Sequence, residues 1–92
     1  MIKNHYKSKI PVLFQARAIT FGRRIYYLDE IPPKWLIKHE MEHVRQYREH
    51  GFIGFLYRYI RDYLRGRFKG LNHHEAYYAI PFEIEARQAE RM

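Results

Sequence analysis

The pentapeptide His39-Glu40-Met41-Glu42-His43 sets two imidazoles four residues apart, with a carboxylate directly after the first. On an α-helix, residues four apart lie about 40° apart around the axis and about 6 Å apart along it. Two imidazoles at that spacing can grip one zinc ion, while the intervening Glu reaches a water on the metal. Zinc-assisted hydrolysis needs three protein ligands and one position left for water. His39 and His43 are expected as two metal ligands. Glu40 is expected as the catalytic general base, taking a proton from the water and passing it to a leaving amine. The third ligand must come from elsewhere, and His50, His73, His74, Glu75, Glu83, Glu85 and Glu90 all carry suitable donor atoms. Cys is absent, so disulfides and thiolate ligands are excluded and zinc must be held by nitrogen and oxygen.

A helix must carry this pair, and the surrounding pattern supplies one. Asp29-Glu30-Ile31-Pro32-Pro33 breaks the preceding segment, and Pro33 suits an early helical position where its missing N–H costs nothing. The helix is expected from about Lys34 to Glu49, stopping near His50-Gly51. Ile37, Met41, Val44 and the stem of Arg48 form an apolar stripe, which predicts a core face. His39, Glu40, His43, Gln46 and Tyr47 then fall on the polar face.

Upstream, Ile10–Phe21 and Ile25-Tyr26-Tyr27-Leu28 are rich in β-branched and aromatic residues and read as a β-hairpin. Gly22-Arg23 suits its two-residue turn. Downstream, Phe52, Phe55, Leu56, Tyr59, Ile60, Tyr63 and Leu64 recur at helical spacing, predicting a second amphipathic helix whose aromatic stripe is core. Gly66 and Gly70 are expected to close it in a basic turn. The stretch from His74 to Met92 reads as helical with a fresh start at Pro81, which puts Glu83 in a first turn.

The 92 residues specify one domain, 1–92, whose core leans on nine Tyr and six Phe. The fold class expected is α+β, a small β-hairpin or sheet followed by three helices. No stretch qualifies as a signal peptide or a transmembrane segment, so a cytoplasmic location is expected. The net charge of +7 is spread along the chain. This favours solubility and leaves association with polyanions as an alternative.

Three motifs in order extend the reading. Ala16-Arg17-Ala18-Ile19-Thr20-Phe21-Gly22-Arg23-Arg24-Ile25-Tyr26 resembles the A-x-A-x-T-x-G-x-x-I-Y strand pair of a widespread group of small bacterial and phage metallopeptidase domains. His39 through Gln46 is similar to their H-E-x-x-H-x-x-Q helix, and Glu83-Ile84-Glu85-Ala86 to their C-terminal E-x-E-A. The resemblance covers about half of the chain. It implies a zincin-like fold of the gluzincin type, a phage or bacterial origin, a bound Zn2+ and a peptide or protein substrate. In related gluzincins a later helix carries E-x-x-A-D, whose Glu binds the metal. Aligning Ala86 with that Ala makes Glu83 the third metal ligand and places Arg87 where an orienting Asp is usual.

Glu83 and Glu85 are two apart, about 200° around a helix, so both cannot face one ion. Glu85 is expected to point away and pair with an Arg. The resemblance also implies that the strand ending near Thr20 borders the cleft, with an extended substrate along its free edge. Three functions compete. The first is a zinc-dependent metallopeptidase; the second is a zincin-like zinc-binding domain that does not cleave. The third is a basic helical binder of nucleic acid or anionic surfaces, drawn from the Arg-rich segment 58–69.

Overall fold

The computed structural model of the chain describes residues 1–14 and 16–92. Three short strands, Lys3–His5 (β1), Ala18–Phe21 (β2) and Arg24–Tyr27 (β3), form one sheet in the order β1-β3-β2. The hairpin is the expected one. Phe21 pairs with Arg24 across the Gly22-Arg23 turn, and Gly22 takes the positive φ of 63° that favours glycine. β1 was not anticipated from sequence; it pairs parallel to β3 and makes β3 the central strand.

The first expected strand begins too early. Ile10–Leu13 is a single helical turn (α1) in which Pro11 occupies an early position and its carbonyl accepts from the N–H of Phe14 and Ala16. Proline suits a first helical turn and cannot donate to a ladder, so the strand starts only at Ala18. Gln15, also within the expected strand, lies outside the described residues.

Four more helices follow: Lys34–His50 (α2), Phe52–Phe68 (α3), His73–Tyr78 (α4) and Pro81–Ala89 (α5). The α+β class is as expected, with five helices among the described residues in place of three. α1 is the unexpected addition, and Pro81 starts a fresh helix and so splits the last third as anticipated. Gly51, at φ 76°, separates α2 from α3. α3 does not stop at Gly66. A Cβ there would lie 3.1 Å from the Cβ of Ala76, so the glycine lets α4 approach α3 closely, and the chain turns only at Gly70.

Two apolar clusters sit on either side of α2. Ala18, Ile25, Tyr27, Leu36 and Val44 join the sheet to it; Tyr47, Phe55, Ile80 and Phe82 join it to α3 and α5. Consequently the face of α2 expected to be polar is the buried one. His39, Glu40, His43, Gln46 and Tyr47 point inward, whereas Ile37 and Met41 are more than a third exposed. Helix α2 is flanked by β2, α3 and α5, and its polar groups find partners there. Among the described residues no buried side-chain polar atom lacks a hydrogen bond.

The aromatic stripe of α3 is likewise only partly core. Phe55 is buried, while Leu56, Tyr59 and Tyr63 are half-buried along an open cleft and Phe52, Ile60 and Leu64 are exposed.

Candidate metal centre

Each element delivers one part of a buried polar cluster. α2 carries His39, Glu40 and His43, whose ligand atoms lie within 4.8 Å of one another. α5 delivers Glu83 from its first turn, where the helix dipole favours a carboxylate. His39 Nε2 lies 2.9 Å from Glu83 Oε1, and His43 Nε2 lies 3.2 Å from Glu83 Oε2. One carboxylate thus faces both rings, one oxygen to each.

The far nitrogens are held as well. His39 Nδ1 donates to Glu90 Oε2 at 2.6 Å and His43 Nδ1 to Gln46 Oε1 at 2.8 Å. Such acceptors fix each ring so that Nε2 points to the centre. Gln46 is fully buried and is itself fixed, donating to the Phe82 carbonyl and to Glu85 Oε1.

Of the two buried carboxylates, Glu83 is the one that contacts both Nε2 atoms. Glu40 accepts from the Thr20 hydroxyl at 2.8 Å, which ties the carboxylate of α2 to strand β2. Burial raises the Glu40 carboxyl above the usual carboxylate range, against the pull of His43 and of the Thr20 hydrogen bond. A raised carboxylate is better matched to accepting a proton near neutrality. Burial also pushes Glu83 upward, but hydrogen bonds from His39, His43 and Tyr59 outweigh it and hold Glu83 well below that range. Tyr59 donates to Glu83 Oε2 at 2.6 Å, and its hydroxyl is raised far above the ordinary tyrosine value by burial and by the Glu83 charge.

Both imidazoles are raised although burial alone would lower them. The hydrogen bond each donates to Glu83 comes next, and with the Glu83 and Glu40 charges it carries His43 to about 9. Each nitrogen of the two rings thus faces an acceptor, which favours the protonated imidazoles. The donor set fits a divalent ion: His39, His43 and Glu83 would hold it, its positive charge taking the place of ring protons. Zinc uptake at pH 7 is expected to release protons from the raised imidazoles, with affinity rising as His43 deprotonates through about 9. Calorimetric titration in buffers of different ionisation enthalpy measures this; a binding enthalpy independent of the buffer contradicts it.

The other candidates lie elsewhere. Glu85 is half exposed, bonded to Gln46 and 3.7 Å from Arg45, so it points away as expected. His50 packs on Phe82, and His74 stacks on Tyr78. His73 bonds the Tyr63 hydroxyl at 2.8 Å, and Glu75 closes the capping box of α4 with Asn72. Glu90, which was only a ligand candidate from sequence, acts as the acceptor behind His39. Arg87 donates to the Tyr78 carbonyl and lies 3.6 Å over the Tyr78 ring, so it takes no part in the cluster. Glu90, three residues further on at the C-cap of α5, supplies the acceptor that an Asp at 87 was expected to supply.

This geometry makes the third-ligand assignment testable. Glu83→Ala is expected to abolish zinc binding, whereas Glu85→Ala is expected to keep it with at most a severalfold loss through Gln46. Zinc content of the two purified variants decides; loss only in Glu85→Ala contradicts the assignment.

The cluster opens on a cleft of about 290 Å³ between β2 and α3, lined by Glu40, His43, Tyr59, Tyr77 and Glu83 among others. β2 is an edge strand. Leu28 N–H donates to the Arg17 carbonyl, so alternation turns the N–H and C=O of Ala18 and Thr20 away from β3. The Tyr47 hydroxyl occupies the Thr20 carbonyl, and Ala16 with residues 18–21 forms one wall of the cleft. No known protein family, characterised protein or solved structure matches this chain.

Proposed function

We propose that this protein is a zinc-dependent peptidase of the gluzincin type. The observation that carries the reading is the convergence of His39 and His43 Nε2 on Glu83, beside buried Glu40 and at the base of a cleft walled by a free strand edge. His39, His43 and Glu83 would hold the metal. When bound, zinc supplies a Lewis acid that polarises a peptide carbonyl and acidifies water.

The chain's own residues do the rest. Ala18 offers its N–H and C=O, and Thr20 its N–H, to an extended peptide along β2, which orients it without selecting side chains. Glu40, held by Thr20, takes the proton of the attacking water and returns it to the departing amine. Glu90 and Gln46 keep the two imidazoles turned inward throughout.

The test is elemental analysis of the purified chain together with cleavage of a denatured protein. One zinc per chain and cleavage abolished by chelation are expected. Zinc without cleavage of any peptide in a broad library reduces the reading to a metal-binding domain of the same geometry. No zinc removes it.

A further inference from the structure

Helix α3 offers a second surface that the metal centre does not use. Its inner side carries Phe55, Tyr59 and Tyr63 toward the cleft. On the outside, Ile53, Tyr57, Ile60, Leu64 and Phe68 follow at intervals of four, three, four and four residues. At 100° per residue they occupy an arc of about 80°, so they form one continuous stripe along a helix about 25 Å long. All five are exposed, from 45% for Leu64 to 87% for Phe68. Directly beside the stripe, Arg61, Arg65 and Arg58 fill the next sector of the helix.

We infer that this face of α3 lies on an anionic lipid surface. An apolar stripe flanked by arginines suits the boundary between acyl chains and headgroups, where the apolar residues leave water and the guanidinium groups meet phosphates. Among the described residues no helix is long and apolar enough to cross a membrane, so α3 lies in the surface plane. The net charge of +7 adds a favourable term over the whole chain.

Charge separates this occupant from two others. A second copy packed antiparallel through the stripe would set Arg58, Arg61 and Arg65 against their own counterparts. The only acid on the helix, Asp62, already pairs with Arg61 and Arg65. A nucleic acid would engage the arginines and leave the five apolar side chains in water.

The experiment is flotation of the full chain with vesicles of phosphatidylcholine containing about 30% phosphatidylserine, against vesicles of phosphatidylcholine alone. Strong binding to the first and weak binding to the second are expected. Ile53→Ser with Ile60→Ser leaves charge unchanged and should lower partition at least about tenfold. Arg58→Gln with Arg65→Gln should lower it about tenfold. The chain has no Cys, so Ile60→Cys carries a single polarity-sensitive fluorophore, whose emission should shift blue on anionic vesicles. The same label at Glu49→Cys should not shift. Binding that is absent, or insensitive to the isoleucine pair, overturns the proposal. So does a solution dimer that the isoleucine pair dissociates, or a label at residue 60 that stays in water on the vesicles.

Discussion

If His39, His43 and Glu83 hold zinc as proposed, chelation is expected to lower the melting temperature by about 15–30 °C. A ligand bound only to the native state at a thousand times its dissociation constant contributes about 4 kcal/mol. For a domain of this size each kcal/mol moves the midpoint by about 4–8 °C. The effect is large because the buried apolar core is small, two clusters of four or five side chains on either side of α2. The metal-free chain is nevertheless expected to stay folded at neutral pH, since Glu83, Glu90 and Gln46 give each imidazole nitrogen an acceptor.

That substitute for the metal has its own pH window. The raised His43 contributes stability fully below its ordinary value of 6.5 and loses it as pH rises through about 9. Lowered Glu83 contributes above its ordinary value of 4.5 and loses its share as pH falls toward its depressed folded value. Chelation should therefore cost more stability above pH 9 than at pH 7. His39→Ala should contain no zinc and melt with the chelated wild type or below it. Thermal melts with and without chelator, beside elemental analysis, test this directly. Identical melting with substoichiometric zinc in fresh protein would end the metal reading.

Glu40→Gln should lower peptide hydrolysis by about 10²–10⁴-fold while zinc content and fold stay as in the wild type. The amide keeps an oxygen that can accept from the Thr20 hydroxyl, so the tie between α2 and β2 survives. It cannot accept the proton of water. Burial raises the Glu40 carboxyl, which suits the proposed proton transfer, and this is lost with the carboxylate. The discriminating measurement is turnover of a peptide library by both proteins at equal zinc occupancy. Equal activity would remove Glu40 from the chemistry and leave Glu83 and the two His as a binding site only.

Much of the helical framework is legible because local chemistry dictates it. The break at Pro81, the stop at Gly51 and the turn at Gly22 each follow from backbone constraints that act within a few residues. The H-E-x-x-H spacing likewise fixes the relation of His39 to His43 on any helix, whatever packs around it. Periodicity placed Val44 of α2 and Phe55, Leu56, Tyr59 and Tyr63 of α3 on inner faces correctly, but misjudged the rest of both helices. For α2 it assigned Ile37 and Met41 to the core, yet the face bearing His39, Glu40, His43 and Gln46 is the one enclosed by β2, α3 and α5. A stripe of polar groups reads as solvated from sequence, because partners 20 to 51 residues away are invisible to a local pattern.

Those distant partners decide the site. Glu83 follows His39 by 44 residues, Glu90 follows it by 51, and Thr20 precedes Glu40 by 20. Their meeting depends on Gly66 admitting α4 beside α3 and on Phe82 and Ile80 seating α5 against α2. By itself the sequence determined a helix carrying two imidazoles and a carboxylate at metal-binding spacing. Only tertiary packing chose Glu83 over Glu85 to face the rings and put Glu90, not residue 87, behind His39. It also left the outer face of α3 bare. Spacing along one helix is a property of the chain, whereas convergence of separate helices depends on which faces they bury.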